Sequence, residues 1–323
     1  MSKKRALISG VSGQDGSYMA ELLLSKNYDV FGIKRRTSGP GFGNIEHLKS
    51  KITLIDGDLL DQSSLNQAIK ISQPDEIYHL GAQSHVGTSF NQPSYTMEAT
   101  GHATLKFLEA TREFCKTAKF YNAATSELFG GASGGPYSET DRHFPRSPYG
   151  CAKEFGFTTT VNYRESYDIF ACNGILFNHS SPRRGEEFAT RKITKAAARI
   201  KLGLQDKLIM GNVDSFRDEG HSKDYVEAMW LMLQQDQPDD FVIATGETHS
   251  IREMIDVVFS HLGLNYQDYL VIDPALFRPA EVNVLLGDPS KAQKTLGWEP
   301  KYTWKTLLVE MVENDLFLEA HGV

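Results

Sequence analysis

Cysteine is scarce in this chain. Cys115, Cys151 and Cys172 are the only ones in 323 residues, and no pair is spaced as CxxC. An odd, scattered set excludes a disulfide framework and fits a reducing compartment. Long apolar runs are missing too: the run after the basic start Met-Ser-Lys-Lys-Arg is too short for a secretory signal or a membrane span. Positive charge is not in excess. Against 41 Asp and Glu there are 34 Lys and Arg, a formal net charge of −7. That gives no field to gather nucleic acid or an anionic membrane. Internal repeats and low-complexity tracts are absent. These absences leave a cytoplasmic globular protein with neither nucleic acid nor membrane as partner and no assigned metal ligand. Its length allows one large core or two joined ones.

What is present begins with a buried strand, Ala6-Leu7-Ile8-Ser9. It runs into Gly10-Val11-Ser12-Gly13-Gln14-Asp15-Gly16 and then a helical pattern through Met19, Leu22, Leu23 and Leu24. Strand, glycine-rich turn and helix make the phosphate-binding opening of a Rossmann unit, where glycines let the backbone approach a pyrophosphate resting on helix N–H groups. The spacing GxxGxxG also suits a plain tight turn; the flanking strand and helix favour a cofactor. After the second strand, 28–33, the acid that would hold ribose hydroxyls is missing. Lys34-Arg35-Arg36 stands there, and guanidinium forks suit a 2′-phosphate, so NADP is expected. A solvated basic turn is the alternative. The glycine-rich stretch 37–43 reads as an exposed loop. Asp58 and Leu59 follow the third strand, 52–55, placed for an adenine contact or, for Asp58, a turn or N-cap. The fourth strand, 76–80, ends in Gly81-Ala82-Gln83-Ser84-His85, at the strand end where ligands of such sheets bind. His85 reads there as a packing or hydrogen-bonding residue rather than a base.

A long helical pattern covers 95–115, and the fifth strand, 119–123, then delivers Thr125, Ser126 and Glu127 to the sheet rim. Ser147-Pro148 opens a helix carrying Tyr149 and Lys153. Four residues apart, the two share one helical face. An ammonium there is expected to draw the phenol's pKa down from about 10. Such a phenol takes a proton from an alcohol as hydride leaves the same carbon. The same spacing also occurs as surface decoration. Glu127 adds a second acid/base group, and Thr125 a hydroxyl for the same oxygen. A dehydrogenase needs only the Tyr/Lys part, so the extra carboxylate points to an elimination.

After a sixth strand, 169–177, the texture changes at Asn178 to Gly185. The expected fold is α/β, a Rossmann-type doubly wound parallel sheet with a smaller mixed α/β C-terminal substrate domain. Residues 1–178 form the NADP-binding domain and 179–323 the substrate domain, with part of 213–245 packing back on the first. Arg191 and Lys192 near the start of a helix over 188–202, then Arg217 and Arg278, suit a diphosphate and nucleotide. Ordinary ion pairing with acidic neighbours fits them equally.

Together these pieces resemble the extended short-chain dehydrogenase/reductases and, within them, the GDP-mannose 4,6-dehydratases. The likeness rests on GVSGQDG at 10–16, Lys34-Arg35-Arg36, Ala82-Gln83-Ser84-His85-Val86 and Thr125-Ser126-Glu127-Leu128-Phe129-Gly130. It continues through Tyr149 to Lys153, Phe177-Asn178-His179, Ser181-Pro182-Arg183-Arg184-Gly185, Thr190-Arg191-Lys192 and Phe277-Arg278-Pro279-Ala280-Glu281-Val282. It spans nearly the whole chain. The resemblance implies that Thr125, Glu127, Tyr149 and Lys153 are catalytic. Tyr149 would take the C4 hydroxyl proton as hydride moves to NADP; Glu127 would take the C5 proton, water would leave from C6, and the hydride would return to C6. By the same likeness, Gly10, Gly13, Gln14, Asp15, Gly16, Arg35, Arg36, Asp58, Leu59, Leu80, Ala82, Ser84, Tyr95, Lys153, His179 and Arg184 would contact NADP. Ser84, Glu127, Tyr149, Asn178, Lys192, Arg217, Arg278 and Glu281 would hold the GDP-sugar. A homotetramer or homodimer is implied, with 35–43 at an interface. Four departures stand out. The family usually has Trp where this chain has Glu219, Glu at Ser180, Ser at Ala124, and an Asp-containing Gly-Leu-Gly-like run at 99–103. Another GDP-sugar such as a GDP-heptose, an epimerase or reductase acting on nucleotide sugars, and a non-catalytic NADP-sensing module remain as alternatives.

Overall fold

Short apolar runs rich in β-branched and aromatic residues become strands, and the longer periodic segments between them become helices. A computed structural model describes residues 3–38, 41–132 and 134–322. Gly39 and Pro40 of the expected loop and interface segment, and Ser133, lie outside the described residues. The first half runs β1 (Arg5–Ser9), α1 (Gln14–Ser25), β2 (Asp29–Lys34), β3 (Thr53–Asp56), α2 (Gln62–Ser72), β4 (Glu76–His79), α3 (Val86–Asn91) and α4 (Pro93–Thr96). A π-helical turn (Met97–His102), α5 (Ala103–Phe114), β5 (Lys119–Ala123), α6 (Pro148–Tyr167) and β6 (Ala171–Leu176) follow. The second half runs β7 (Asn178–Ser180), α7 (Ala189–Lys201), β8 (Leu208–Met210), β9 (Phe216–Arg217), β10 (Glu219–His221), α8 (Ser222–Leu233) and β11 (Phe241–Ile243). It ends with β12 (His249–Ser250), α9 (Ile251–His261), β13 (Leu270–Ile272), β14 (Val284–Leu285), α10 (Ser290–Leu296) and α11 (Trp304–His321).

Among the described residues, seven strands form one sheet in the order β11-β6-β5-β4-β1-β2-β3. Every pairing in it is parallel. The order reverses between β1 and β4, so a crevice opens at their C-terminal ends. Met19 and Leu23 of α1, Met229 and Leu233 of α8, and Trp298 bury one face; Leu65 and Ile69 of α2, Phe107 and Leu108 of α5, and Tyr163 of α6 bury the other. Both faces are covered, as an all-parallel sheet requires. A separate cluster joins α7, α9 and α11 through Ile193, Ile255, Leu308 and their neighbours.

The segment 95–115 is not one α-helix. α4 passes into the π turn before α5 starts. A side chain at Gly101 would come within 3.0 Å of the Ala152 carbonyl on α6, so the two segments pack backbone to backbone there. Thr100 Oγ1 accepts from Gln83 N at 3.2 Å and donates to Gln83 O at 3.3 Å, drawing the widened turn toward the end of β4.

β11 enters through residues 213–245 and pairs with β6, bringing Asp240 against α6. Asp240 accepts paired hydrogen bonds from Arg164 at 2.9 and 2.8 Å. It also accepts from Asn173 N at 2.8 Å and Asn173 Nδ2 at 3.0 Å. Removing the acid would strand a largely buried guanidinium. Asp240→Ala should therefore lower the unfolding free energy by about 3 kcal/mol, measured by urea denaturation.

Candidate active site

The crevice at the sheet's switch point is a cleft of about 1290 Å³. Its floor is the turn after β1. Gly10 has a φ of +70°, and a side chain there would lie 2.8 Å from the Cα of Gly81. A Cβ at Gly16 would lie 2.2 Å from the Gly10 carbonyl oxygen. The turn closes this tightly only with glycine at both places. Asp15 Oδ2 accepts from His179 Nε2 at 2.9 Å, while His179 Nδ1 donates to the Phe177 carbonyl at 2.8 Å. Both ring nitrogens donate, so His179 is an imidazolium. Burial is the largest single effect and works to lower its pKa, but the Asp15 charge and the hydrogen bonds to Asp15 and Phe177 together raise it. Burial likewise works to raise Asp15, and His179 holds it down at about 2. Ser181 Oγ donates to Gln14 Oε1 at 2.9 Å, and Gln14 Nε2 to the His179 carbonyl at 3.3 Å. The glycine-rich turn is thereby fastened to β7.

The facing wall comes from β5 and α6. Thr125, extended, caps the 3-10 turn Ser126–Phe129 by accepting from Glu127 N at 3.3 Å. Ser147 caps α6 by accepting from Gly150 N at 3.0 Å, and Pro148 fills the first helical position. Tyr149 and Lys153 then share a face pointing into the cleft. Lys153 Nζ donates to the Ala123 carbonyl at 2.6 Å and lies 5.9 Å from the centre of the Tyr149 ring. The Thr125 hydroxyl acts on Tyr149 to lower its pKa, less strongly than burial raises it. The expected depression of the phenol is not what the structure shows. Burial pushes Tyr149 up to about 12, with Glu127 adding to the rise, and pushes Lys153 down to about 8. Desolvation outweighs the attraction that the spacing suggests. Glu127 Oε1 stands 3.5 Å from Arg278 Nη1.

Leu80, Ala82, Ser84, Asn178, Arg184, Lys192 and Arg217 also line the cleft. Glu281 does not line the cleft; it accepts from Arg278 N at 2.8 Å. Arg35, Arg36, Asp58, Leu59 and Tyr95 do not line it. Arg35 instead donates to the Tyr95 hydroxyl at 3.3 Å. Asp58 accepts from Leu60 N at 2.9 Å as a turn residue, and the cap of α2 is Asp61. His85 lines the cleft as a hydrogen-bonding residue, its Nδ1 accepting from Thr88 N at 3.2 Å. Phe188 was not legible in the sequence: the Arg184 guanidinium lies 3.8 Å over its ring and His85 packs edge-on at 5.5 Å. It precedes α7 as N-cap, and as the first residue of the helix expected over 188–202 it carried no sign of a place in the cleft. Asn44, which donates to the Arg183 carbonyl at 3.2 Å, was also missed, because only the tertiary fold brings it to the cleft. Arg184 Nε and Arg278 Nη1 are buried without a hydrogen-bond partner.

A doubly wound sheet with a glycine cradle and a Thr/Tyr/Lys wall defines an enzyme of the extended short-chain dehydrogenase/reductase class. The family model described as "GDP-mannose 4,6 dehydratase" matches residues 7–311. GDP-mannose 4,6 dehydratase 2 of Arabidopsis thaliana is 51% identical over 98% of this chain and 88% of its own length. GDP-mannose 4,6-dehydratase of Vibrio cholerae is 49% identical over 100% of this chain and 98% of its own. In fold, a double mutant of dTDP-glucose 4,6-dehydratase from Streptomyces venezuelae, solved with NAD bound, superposes with a TM-score of 0.87 at 21% identity over 98% of each chain. The chain belongs to the GDP-mannose 4,6-dehydratase family.

Proposed function

We propose that this enzyme dehydrates GDP-mannose to GDP-4-keto-6-deoxy-mannose with NADP as a recycled cofactor. The observation that carries this reading is the meeting of Thr125, Glu127, Tyr149 and Lys153 on one cleft wall. The names of its half-identical relatives supply the substrate. The glycine cradle and the start of α1 suit a dinucleotide diphosphate. Arg35 and Arg36, exposed just past β2 with no acid in their place, suit a 2′-phosphate. Asp15 and His179 set the shape of the cradle, while Asp58, Leu59 and Tyr95 would border the adenosine end. When bound, NADP would supply the hydride acceptor for C4 and, once reduced, the hydride donor for C6.

The chain's own groups handle protons and charge. The Lys153 ammonium favours the phenolate form of Tyr149, and that phenolate takes the C4 hydroxyl proton and becomes the phenol. Glu127 removes the C5 proton once a ketone at C4 has made it acidic. Arg217, Arg278 and Lys192 hold the diphosphate, with Ser84, Asn178 and Glu281 around the sugar and nucleoside. Residues 1–178 make the cofactor domain and 179–323 the substrate domain, and each lends side chains to the other's ligand. The reading includes a cytoplasmic homodimer or homotetramer with the Arg35–Arg36 turn toward a second subunit. Among the described residues no helix is long and apolar enough to cross a membrane.

Incubation with GDP-mannose and NADP should yield a product lighter by one water, with deuterium placed at C4 recovered at C6. NADPH accumulating in step with product would instead mean net oxidation and would end the reading. Gly16→Ala should weaken NADP binding by roughly a hundredfold, because its methyl has no space beneath the turn. Fluorescence titration checks this.

A further inference from the structure

Arg191, expected beside a diphosphate, does not line the cleft. Its neighbour Lys192 does, while Arg191 is buried and meets the C-terminal helix α11. Arg191 Nη2 lies 2.6 Å from Asp315 Oδ1, with the two side chains 9% and 1% exposed. Thr194 Oγ1 donates to the other Asp315 oxygen at 2.6 Å. The rest of the guanidinium reaches the segment before α7: Arg191 Nη1 donates to the Pro182 carbonyl and, at 3.4 Å, to the Arg184 carbonyl. On its other side that segment is pinned to the glycine turn and α1. Ser181 bonds Gln14, and Arg183 donates to Ser17 Oγ at 3.0 Å and to Glu21 Oε1 at 2.6 Å. Held from both sides, the segment presents Arg184 to the cleft.

We propose that Asp315, on a helix outside the cleft, is a positioning residue for the cofactor end of the site: it orients Arg191, and Arg191 fixes the backbone that presents Arg184. The reading above supplies the identity of the ligand; the chain of contacts stands without it. A guanidinium carries its donors in one rigid plane, so a single arginine can meet a carboxylate with one edge and carbonyls with another. Such an arginine stays buried only with an opposite charge beside it. Without that charge the guanidinium moves toward water and releases the Pro182 and Arg184 carbonyls. Arg184 then loses its fixed place. Its Nε is buried without a hydrogen-bond partner and its guanidinium rests 3.8 Å over the Phe188 ring, so backbone and ring hold it. A ligand-facing group that must be ordered on binding contributes less than one already in place. The pairing repeats along the two helices. Lys195 and Arg199 follow Arg191 at four-residue steps on α7, and Glu319 follows Asp315 on α11. Arg199 Nη1 lies 2.6 Å and Lys195 Nζ 3.4 Å from Glu319, and Lys195 also meets Glu186 of the cleft segment at 2.5 Å. The acids of α11 thus face the cations of α7 that grip the cleft segment.

Two measurements on the full-length enzyme test this. Hydrogen exchange of the ligand-free protein, read by mass spectrometry, follows the segment directly, since Arg184 N donates to Ser181 O at 3.0 Å and Phe188 N to Gly185 O at 3.2 Å. In Asp315→Asn, which keeps the shape and loses the charge, amides of 183–188 should exchange roughly tenfold faster while β5 and α6 keep the parent's protection. Calorimetric titration well below the variant's Tm should show NADP bound roughly tenfold more weakly. At saturating ligands kcat should stay within about threefold of the parent, because the Tyr149 wall is untouched. Unchanged exchange over 183–188, or unchanged NADP affinity, overturns the proposal; a merely structural ion pair would give both, with only the Tm lowered. Faster exchange spread equally over β5 and α6 overturns it too. Should Asp315→Asn fail to fold, Arg191→Lys keeps a cation for the acid but lacks the second set of donors, and the same outcomes decide. A parent that takes up no NADP would count against the cofactor reading, and the exchange result alone would then support or reject the role of Asp315.

Discussion

Glu127→Gln is expected to bind GDP-mannose about as well as the parent while kcat falls by roughly a hundredfold or more. The side chain is held, not loose. It sits in the 3-10 turn Ser126–Phe129 behind the Thr125 cap and is buried. Glutamine preserves that shape and the polar contact with Arg278 but cannot take a proton. The diagnostic is isotopic: in deuterated water the parent should put solvent deuterium at C5 of the product, and the variant should do so only as fast as its residual turnover. A fall in kcat of less than about tenfold would mean that another group serves C5.

The second large effect concerns Lys153. In the folded chain burial leaves Tyr149 a phenol with a pKa near 12 and lowers Lys153 to about 8, so at neutral pH the lysine is still mostly an ammonium. An adjacent cation favours the phenolate, so its removal moves phenolate formation to higher pH. Lys153→Met should therefore shift the acidic limb of the kcat/KM profile upward by about one pH unit or more and cut the rate at neutral pH by roughly a hundredfold. Tyr149→Phe should lower the rate at every pH and leave no such limb. A Lys153→Met enzyme whose limb stays in place while the rate drops would show that the lysine acts by holding the Ala123 carbonyl rather than by its charge.

Most of the sheet was readable because each parallel strand is a short apolar run bounded by polar turns. The expected strands at 52–55 and 119–123 match β3 and β5 to within a residue. β11 was not readable as a strand, since Phe241–Ile243 is three residues long and takes its partner from β6, far away in sequence. The π turn was hidden for a related reason. Helical periodicity continues through Met97–His102, and the close approach of α6 at Gly101 is tertiary. In the site, spacing alone placed Tyr149 and Lys153 on one face, and motif order placed Glu127 beside them. The phenol's titration could not be read the same way, because it depends on burial that no local pattern reports. Arg35 and Arg36, just past β2, stand exposed, and Arg35 meets the Tyr95 hydroxyl, so a role with a phosphate rests on their chemistry and not on a contact in the fold.

The return of β11 to the edge of the main sheet makes the two halves of this chain poor candidates for separate expression. A fragment ending near residue 178 would leave β6 as a bare sheet border, rich in buried aliphatic side chains and ready to pair with other molecules. It would also strip α8 from the sheet face where it covers α1. A split version of the enzyme would keep its edge closed only if the cut fell beyond residue 243, on the far side of that last strand.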